Sequence, residues 1–141
     1  MLKNINPLLT GELLHLLDEL GHGDQLGLVD RNFPAYRYDM PVIDLRGADT
    51  RAAAEALLSV FPLDAFVDTP IERMEIDGSP DEVTAATTAL AEIAAAQDPE
   101  AAGVESVERF DFYQRATAAR GFIQTGETIP YSCYLLKKGV V

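Results

Sequence analysis

Leu20-Gly21-His22-Gly23-Asp24-Gln25-Leu26-Gly27-Leu28-Val29-Asp30-Arg31-Asn32-Phe33-Pro34 is the stretch from which the fold can be read. Upstream of it, Leu13, Leu16, Leu17 and Leu20 recur at helical spacing. They predict a helix from about Gly11 to Leu20, with Thr10 as its N-cap. His22 then follows a helix end, and Gly21 suits a left-handed cap. Downstream, Leu26 to Val29 reads as a short buried strand, and Asp30 opens the loop at its C-terminal edge. Open α/β sheets bind ligands at such edges. An imidazole and a carboxylate therefore flank one short strand.

The same alternation continues outward. Pro41 to Leu45 reads as a second strand, and Ala48-Asp49-Thr50 starts a helix with Ala53, Leu57, Leu58 and Phe61 on its apolar face. Ile71 to Ile76 alternates as a half-buried strand does. Ser79-Pro80 reads as the cap and first residue of an alanine-rich helix reaching about Ala96. Val104 to Val107 is a short strand, Phe110 to Ala119 a helix, and Gly121–Thr125 and Tyr134–Lys138 are the last strands. Helices alternating with short apolar strands predict a three-layer α/β/α domain spanning residues 1–141, with a mixed, largely parallel sheet. The last two strands have a connection too brief for a parallel crossover, which predicts a hairpin.

Composition narrows the partners. The net charge of −12 disfavours nucleic acid and anionic membranes, which carry the same sign. A neutral small molecule is indifferent to it. The single cysteine, Cys133, permits no internal disulfide and fits a reducing, cytoplasmic setting. No apolar run approaches the ~20 residues that span a bilayer. Gly21-His22-Gly23 starts like a dinucleotide-binding turn but lacks the third glycine, and it precedes a strand instead of following one. Two histidines and one cysteine without ligand spacing argue against zinc. The expectation is chemistry without metal or cofactor.

Taken singly, the polar residues keep two readings each. His22 can cap its helix, or exchange protons near neutrality, since an imidazole titrates at about 6.5. Asp30 can close an Asx turn or hold a ligand hydroxyl. Arg109 can pair with one of 23 acids or donate to a hydroxyl. Tyr113 lies one turn beyond Phe110, so both fit one helix face. Phe33, Phe110 and Phe112 read as core. Arg73, Glu75, Glu127 and the Lys137-Lys138 pair read as solvated charges.

Several segments together resemble the L-fucose mutarotase and D-ribose pyranase family. They are Met1-Leu2-Lys3, Gly21-His22-Gly23-Asp24, Asn32-Phe33-Pro34-Ala35, Glu108-Arg109-Phe110-Asp111-Phe112-Tyr113-Gln114-Arg115-Ala116, Thr125-Gly126-Glu127, Tyr131, and Leu135 to Val140. They fall in order over nearly the whole chain, and the second signature has the fucose-type form. The resemblance implies a cofactor-independent isomerase that interconverts the α and β anomers of a free monosaccharide. His22 would carry the proton, and Asp30, Arg109, Tyr113, Tyr131 and Cys133 would bind the sugar. It also implies a ring, commonly a homodecamer, with Tyr131 completing a neighbour's site. Cys133 stands where the family has asparagine. Alternatives are a D-ribose pyranase and a non-catalytic, transport-associated sugar-binding module.

Overall fold

The computed structural model describes residues 1–141. Its elements in chain order are α1 (Gly11–Glu19), β1 (Gln25–Val29), a 3-10 turn (Ala35–Tyr38), β2 (Val42–Leu45), α2 (Thr50–Leu58) and β3 (Ile71–Met74). They continue with α3 (Ala85–Gln97), β4 (Val104–Val107), α4 (Arg109–Ala116), β5 (Phe122–Thr125) and β6 (Tyr134–Lys137). The strands form one sheet in the order β2-β5-β1-β6-β3-β4. β5 runs parallel to β1 and β2, and β4 runs parallel to β3. β6 is antiparallel to both of its neighbours, β1 and β3. Five strands therefore end on one edge of the sheet, and only β6 starts there.

This corrects the expected hairpin. β1 lies between β5 and β6, and the connection from Gly126 to Cys133 passes over the C-terminal end of β1. The short connection excluded a parallel pair, but it left room for an antiparallel strand two places away. β1 takes the middle because it is apolar on both faces, with Leu26, Leu28 and Val29 almost wholly buried. Burying such side chains contributes about 1.5–3 kcal/mol each.

The two faces carry different cores. Leu26, Leu28, Ile123, Tyr134 and Leu136 pack under α1, α2 and α3. On the other face Val29, Met74, Phe122, Cys133 and Leu135 pack with Phe33, Ala35 and the α4 residues Phe112 and Ala116. This is the three-layer arrangement, its second layer thinner than the first. Gly27 makes room on the thin side: a Cβ there would sit 2.2 Å from Cδ1 of Phe122.

Local caps follow the sequence with two corrections. Thr10 accepts from the Leu13 amide at 3.2 Å, and Asp49 accepts from the Ala52 amide at 2.9 Å. α3 is capped by Thr84 rather than Ser79, because Asp77-Gly78 closes a tight turn bridging Ile76 to Ser79. Gly21 is not the left-handed residue either; Gly23 is, at φ 85°. The last carbonyls of α1 are satisfied from elsewhere, by Lys138 Nζ donating to Leu17 at 2.7 Å and Leu20 at 2.5 Å. Lys138 is thus a helix cap, not a solvated charge.

Candidate functional site

The C-terminal edge of the sheet gathers four chain segments into one cavity of about 220 Å³. The loop after β1 brings Asp30, the start of α4 brings Arg109 and Tyr113, and the segment before β6 brings Tyr131 and Cys133. Met74, the last residue of β3, contributes to its wall. Five of the six candidate residues therefore meet in space, although they are spread over a hundred positions in sequence.

Each is held by identifiable contacts. Asp30 is buried, and its Oδ1 accepts from the Asn32 amide at 2.9 Å and the Phe33 amide at 3.1 Å. The Asx turn and the cavity position therefore coexist in one side chain. Gln124 on β5 donates through Nε2 to the Asp30 and Phe33 carbonyls, both at 3.0 Å, which pins the loop to the sheet. Arg109 and Tyr113 stand four apart on α4 and so share a face. Arg109 Nε lies 3.3 Å from Asp77 Oδ2, and its guanidinium covers the Phe110 ring at 4.7 Å. Phe110 itself points outward, 66% exposed, so the expected Phe110–Tyr113 pairing on one face does not form. Tyr113 stacks on Phe33 with centroids 5.7 Å apart. Tyr131 occupies the left-handed region at φ 62°, a strained conformation for a bulky residue. Burial pushes the Cys133 thiol well up, and the neighbouring Asp30 carboxylate adds to this. It is a neutral wall of the cavity, not a nucleophile.

The loop carrying Tyr131 hangs on a residue that the sequence reading set aside. Glu127 is buried, not solvated. Its Oε1 accepts from the Thr128 amide at 2.8 Å and the Ile129 amide at 3.0 Å, and its Oε2 accepts from the Thr50 amide at 3.1 Å. Burial acts to raise this carboxyl, but the amides of Ile129, Thr50 and Thr128 outweigh it and hold the group below its ordinary range. Arg73 is also buried, and it donates to the Pro80 carbonyl at 2.6 Å. A Thr-Gly-Glu turn after an apolar strand was the available signal for Glu127; the Thr128 and Ile129 amides are its next neighbours, but the Thr50 amide lies too far off in sequence to be read.

His22 is not in this cavity. It precedes β1, whose five extended residues at ~3.3 Å each separate the two strand ends by roughly 16 Å. At that opposite edge His22 Nε2 lies 3.1 Å from Asp64 Oδ1, and its ring tilts against Phe66 at 5.5 Å. His22 also lines a wider groove of about 530 Å³ with Leu14, Leu17, Asp18, Val60 and Lys138. Tyr131, by contrast, lines the cavity of its own chain. No cluster of three His, Cys, Asp or Glu side chains is placed to hold a metal ion, and no helix is long and apolar enough to cross a membrane.

Residues 3–141 match the model of the RbsD / FucU transport protein family. The chain belongs to that family. Among its relatives is the L-fucose mutarotase of Glaesserella parasuis, 40% identical over 141 residues, covering 99% of this chain and 96% of the relative. The crystal structure of FucU from Bifidobacterium longum is 37% identical, covers 99% of both chains and superposes with a TM-score of 0.92. A fucose mutarotase from Streptococcus pneumoniae, solved in complex with L-fucose, is 31% identical with a TM-score of 0.90 over 99% of both chains. Family membership thus extends over the whole sheet, including both of the edges that carry candidate residues.

Proposed function

We propose that the protein is a monosaccharide mutarotase acting on L-fucose or a closely related free sugar in the cytoplasm. The observation that carries the reading is the convergence of Asp30, Arg109, Tyr113, Tyr131 and Cys133 on one small cavity in a chain whose full-length relatives are L-fucose mutarotases. The volume lies below the ~300–1,000 Å³ of pockets for drug-sized ligands, which suits a single sugar ring. Carboxylate, guanidinium and phenol groups supply acceptors and donors for its hydroxyls.

Mutarotation opens the hemiacetal and closes it on the other face. A base removes the anomeric hydroxyl proton, the C1–O5 bond breaks as the carbonyl forms, and O5 takes a proton from an acid. Closure reverses each transfer after rotation about C1–C2. A positioned acid–base group contributes ~10²–10⁴ in rate. His22 is the residue suited to that role, but it stands at the far edge of the sheet from its own chain's cavity. The reading therefore includes assembly: in a ring of copies, commonly ten in this family, the imidazole of one copy closes the cavity of the next. Exposed Tyr36, Phe66 and Phe110 offer apolar surface for such contacts. In this arrangement the neighbour supplies His22, while Tyr131 serves its own chain's cavity.

The cavity's lack of an imidazole within one chain favours one competing reading, a sugar-binding module without turnover. Saturation-transfer NMR of anomeric exchange decides between them, with L-fucose first and D-ribose second. Accelerated fucose exchange that His22→Ala and Asp30→Asn both abolish is the expected result. Acceleration with ribose alone moves the assignment to pyranase chemistry, and binding without acceleration establishes the module.

A further inference from the structure

The bond that holds His22 is built more firmly than a surface contact requires. Asp64 Oδ1 lies 3.1 Å from His22 Nε2, and the Asp64 side chain is only 4% exposed while the imidazole is 47% exposed. The same Oδ1 accepts from the Phe66 amide at 3.0 Å, and the Asp64 amide donates to the Lys137 carbonyl at 3.1 Å. The turn carrying His22 is fastened to the same end of β6: Gly23 donates to the Lys138 carbonyl and the Lys138 amide donates to Asp24, both at 2.8 Å. Gly139 permits the close approach, since a Cβ there would lie 2.4 Å from the Leu63 carbonyl oxygen. The carboxylate and the imidazole are therefore set against each other by one rigid frame. Burial acts to raise the Asp64 carboxyl, but the Phe66 amide and His22 outweigh it and keep it below its ordinary range.

We infer that Asp64 is a positioning residue that fixes His22 in its Nε2–H tautomer and leaves Nδ1 as the atom that exchanges protons with the substrate. A buried acceptor that is ionised can only take a hydrogen bond, so Nε2 must carry the proton in the neutral ring. The lone pair then lies on Nδ1. Asp18 and Lys138, the charged side chains sharing the groove with His22, make no hydrogen bond to the ring. In the proton transfer itself Nδ1 accepts the substrate proton to give an imidazolium whose two N–H groups face Asp64 and the sugar. Returning the proton from Nδ1 regenerates the starting tautomer, and Asp64 stays ionised throughout. The rate part of this inference rests on the mutarotase reading; the tautomer part does not.

The test is ¹⁵N NMR of the full-length protein carrying His15→Gln, which leaves His22 as the one histidine. Long-range ¹H–¹⁵N correlations at alkaline pH distinguish the two neutral tautomers directly. The Nε2–H form is expected, and finding the Nδ1–H form overturns the inference without any further variant. Asp64→Asn is expected to convert the single tautomer to a mixture. It should also slow sugar exchange at saturation by about tenfold or more, within the ~10²–10⁴ that an acid–base group supplies, while KM changes little because Asp64 bonds the ring nitrogen turned away from the sugar. A folded Asp64→Asn protein with the wild-type tautomer and wild-type rate refutes the role. If the wild type accelerates no sugar, the mutarotase reading fails, and the tautomer spectra alone decide the inference.

Discussion

Glu127→Gln is the substitution that tests most directly how the cavity is held together. The wild-type carboxylate accepts three backbone amides in a buried turn. Glutamine keeps one oxygen, which can still receive Thr128 and Ile129, but its NH₂ group then faces the Thr50 amide, donor against donor. Hydrogen bonds to a charged acceptor contribute about 1.5–3 kcal/mol each, and the two that survive lose their charge assistance. The expected loss is therefore about 2–4 kcal/mol. At roughly 3–5 °C per kcal/mol for a chain of this size, the melting temperature falls by roughly 6–20 °C. Circular dichroism melts at one fixed protein concentration measure it, since the proposed assembly would make the midpoint concentration-dependent.

The pH dependence carries a sign. The folded carboxyl of Glu127 is depressed, so its contribution is complete above the unfolded value of about 4.3 and is lost as pH falls through the folded one. The difference between wild type and variant should be full at pH 7 and shrink below about pH 4.3. Equal melting at pH 7, or a difference that grows on acidification, refutes the three-amide account. Because Glu127 sets the loop that presents Tyr131 and Cys133, sugar affinity should fall along with stability.

Three other outcomes are expected. Co-expressing His22→Ala with Asp30→Asn chains should restore part of the exchange activity that each lacks alone, because in the proposed ring a mixture contains cavities with an intact Asp30 facing an intact His22; mixtures as dead as either parent refute the shared site. Gly27→Ala forces a methyl against the Phe122 ring at 2.2 Å and should destabilise by about 1–3 kcal/mol, read from urea midpoints. Cys133, only 2% exposed and with its thiol pushed up, should resist a thiol-specific disulfide reagent at pH 8 until denaturant is added, and rapid labelling of the native protein contradicts its placement.

Most of the elements were legible in the sequence, because their causes are local. Leu13, Leu16 and Leu17 made α1 amphipathic and Thr10 capped it. The apolar run from Leu26 to Val29 read as a short buried strand, which it is. The ordered motifs likewise reached the family. Tertiary structure decided what depends on pairing between distant segments. It inserted β1 between β5 and β6, where both of its faces are covered, and local sequence carries no record of which strands will be neighbours. It turned Glu127, Arg73 and Lys138 from apparent surface charges into buried or capping groups, since the fold brings backbone atoms onto them: Thr50 onto Glu127, Pro80 onto Arg73, and Leu17 and Leu20 onto Lys138. It also separated His22 from Asp30. Eight positions apart in sequence, they sit on opposite edges of the sheet because an extended strand converts nearness along the chain into distance in space.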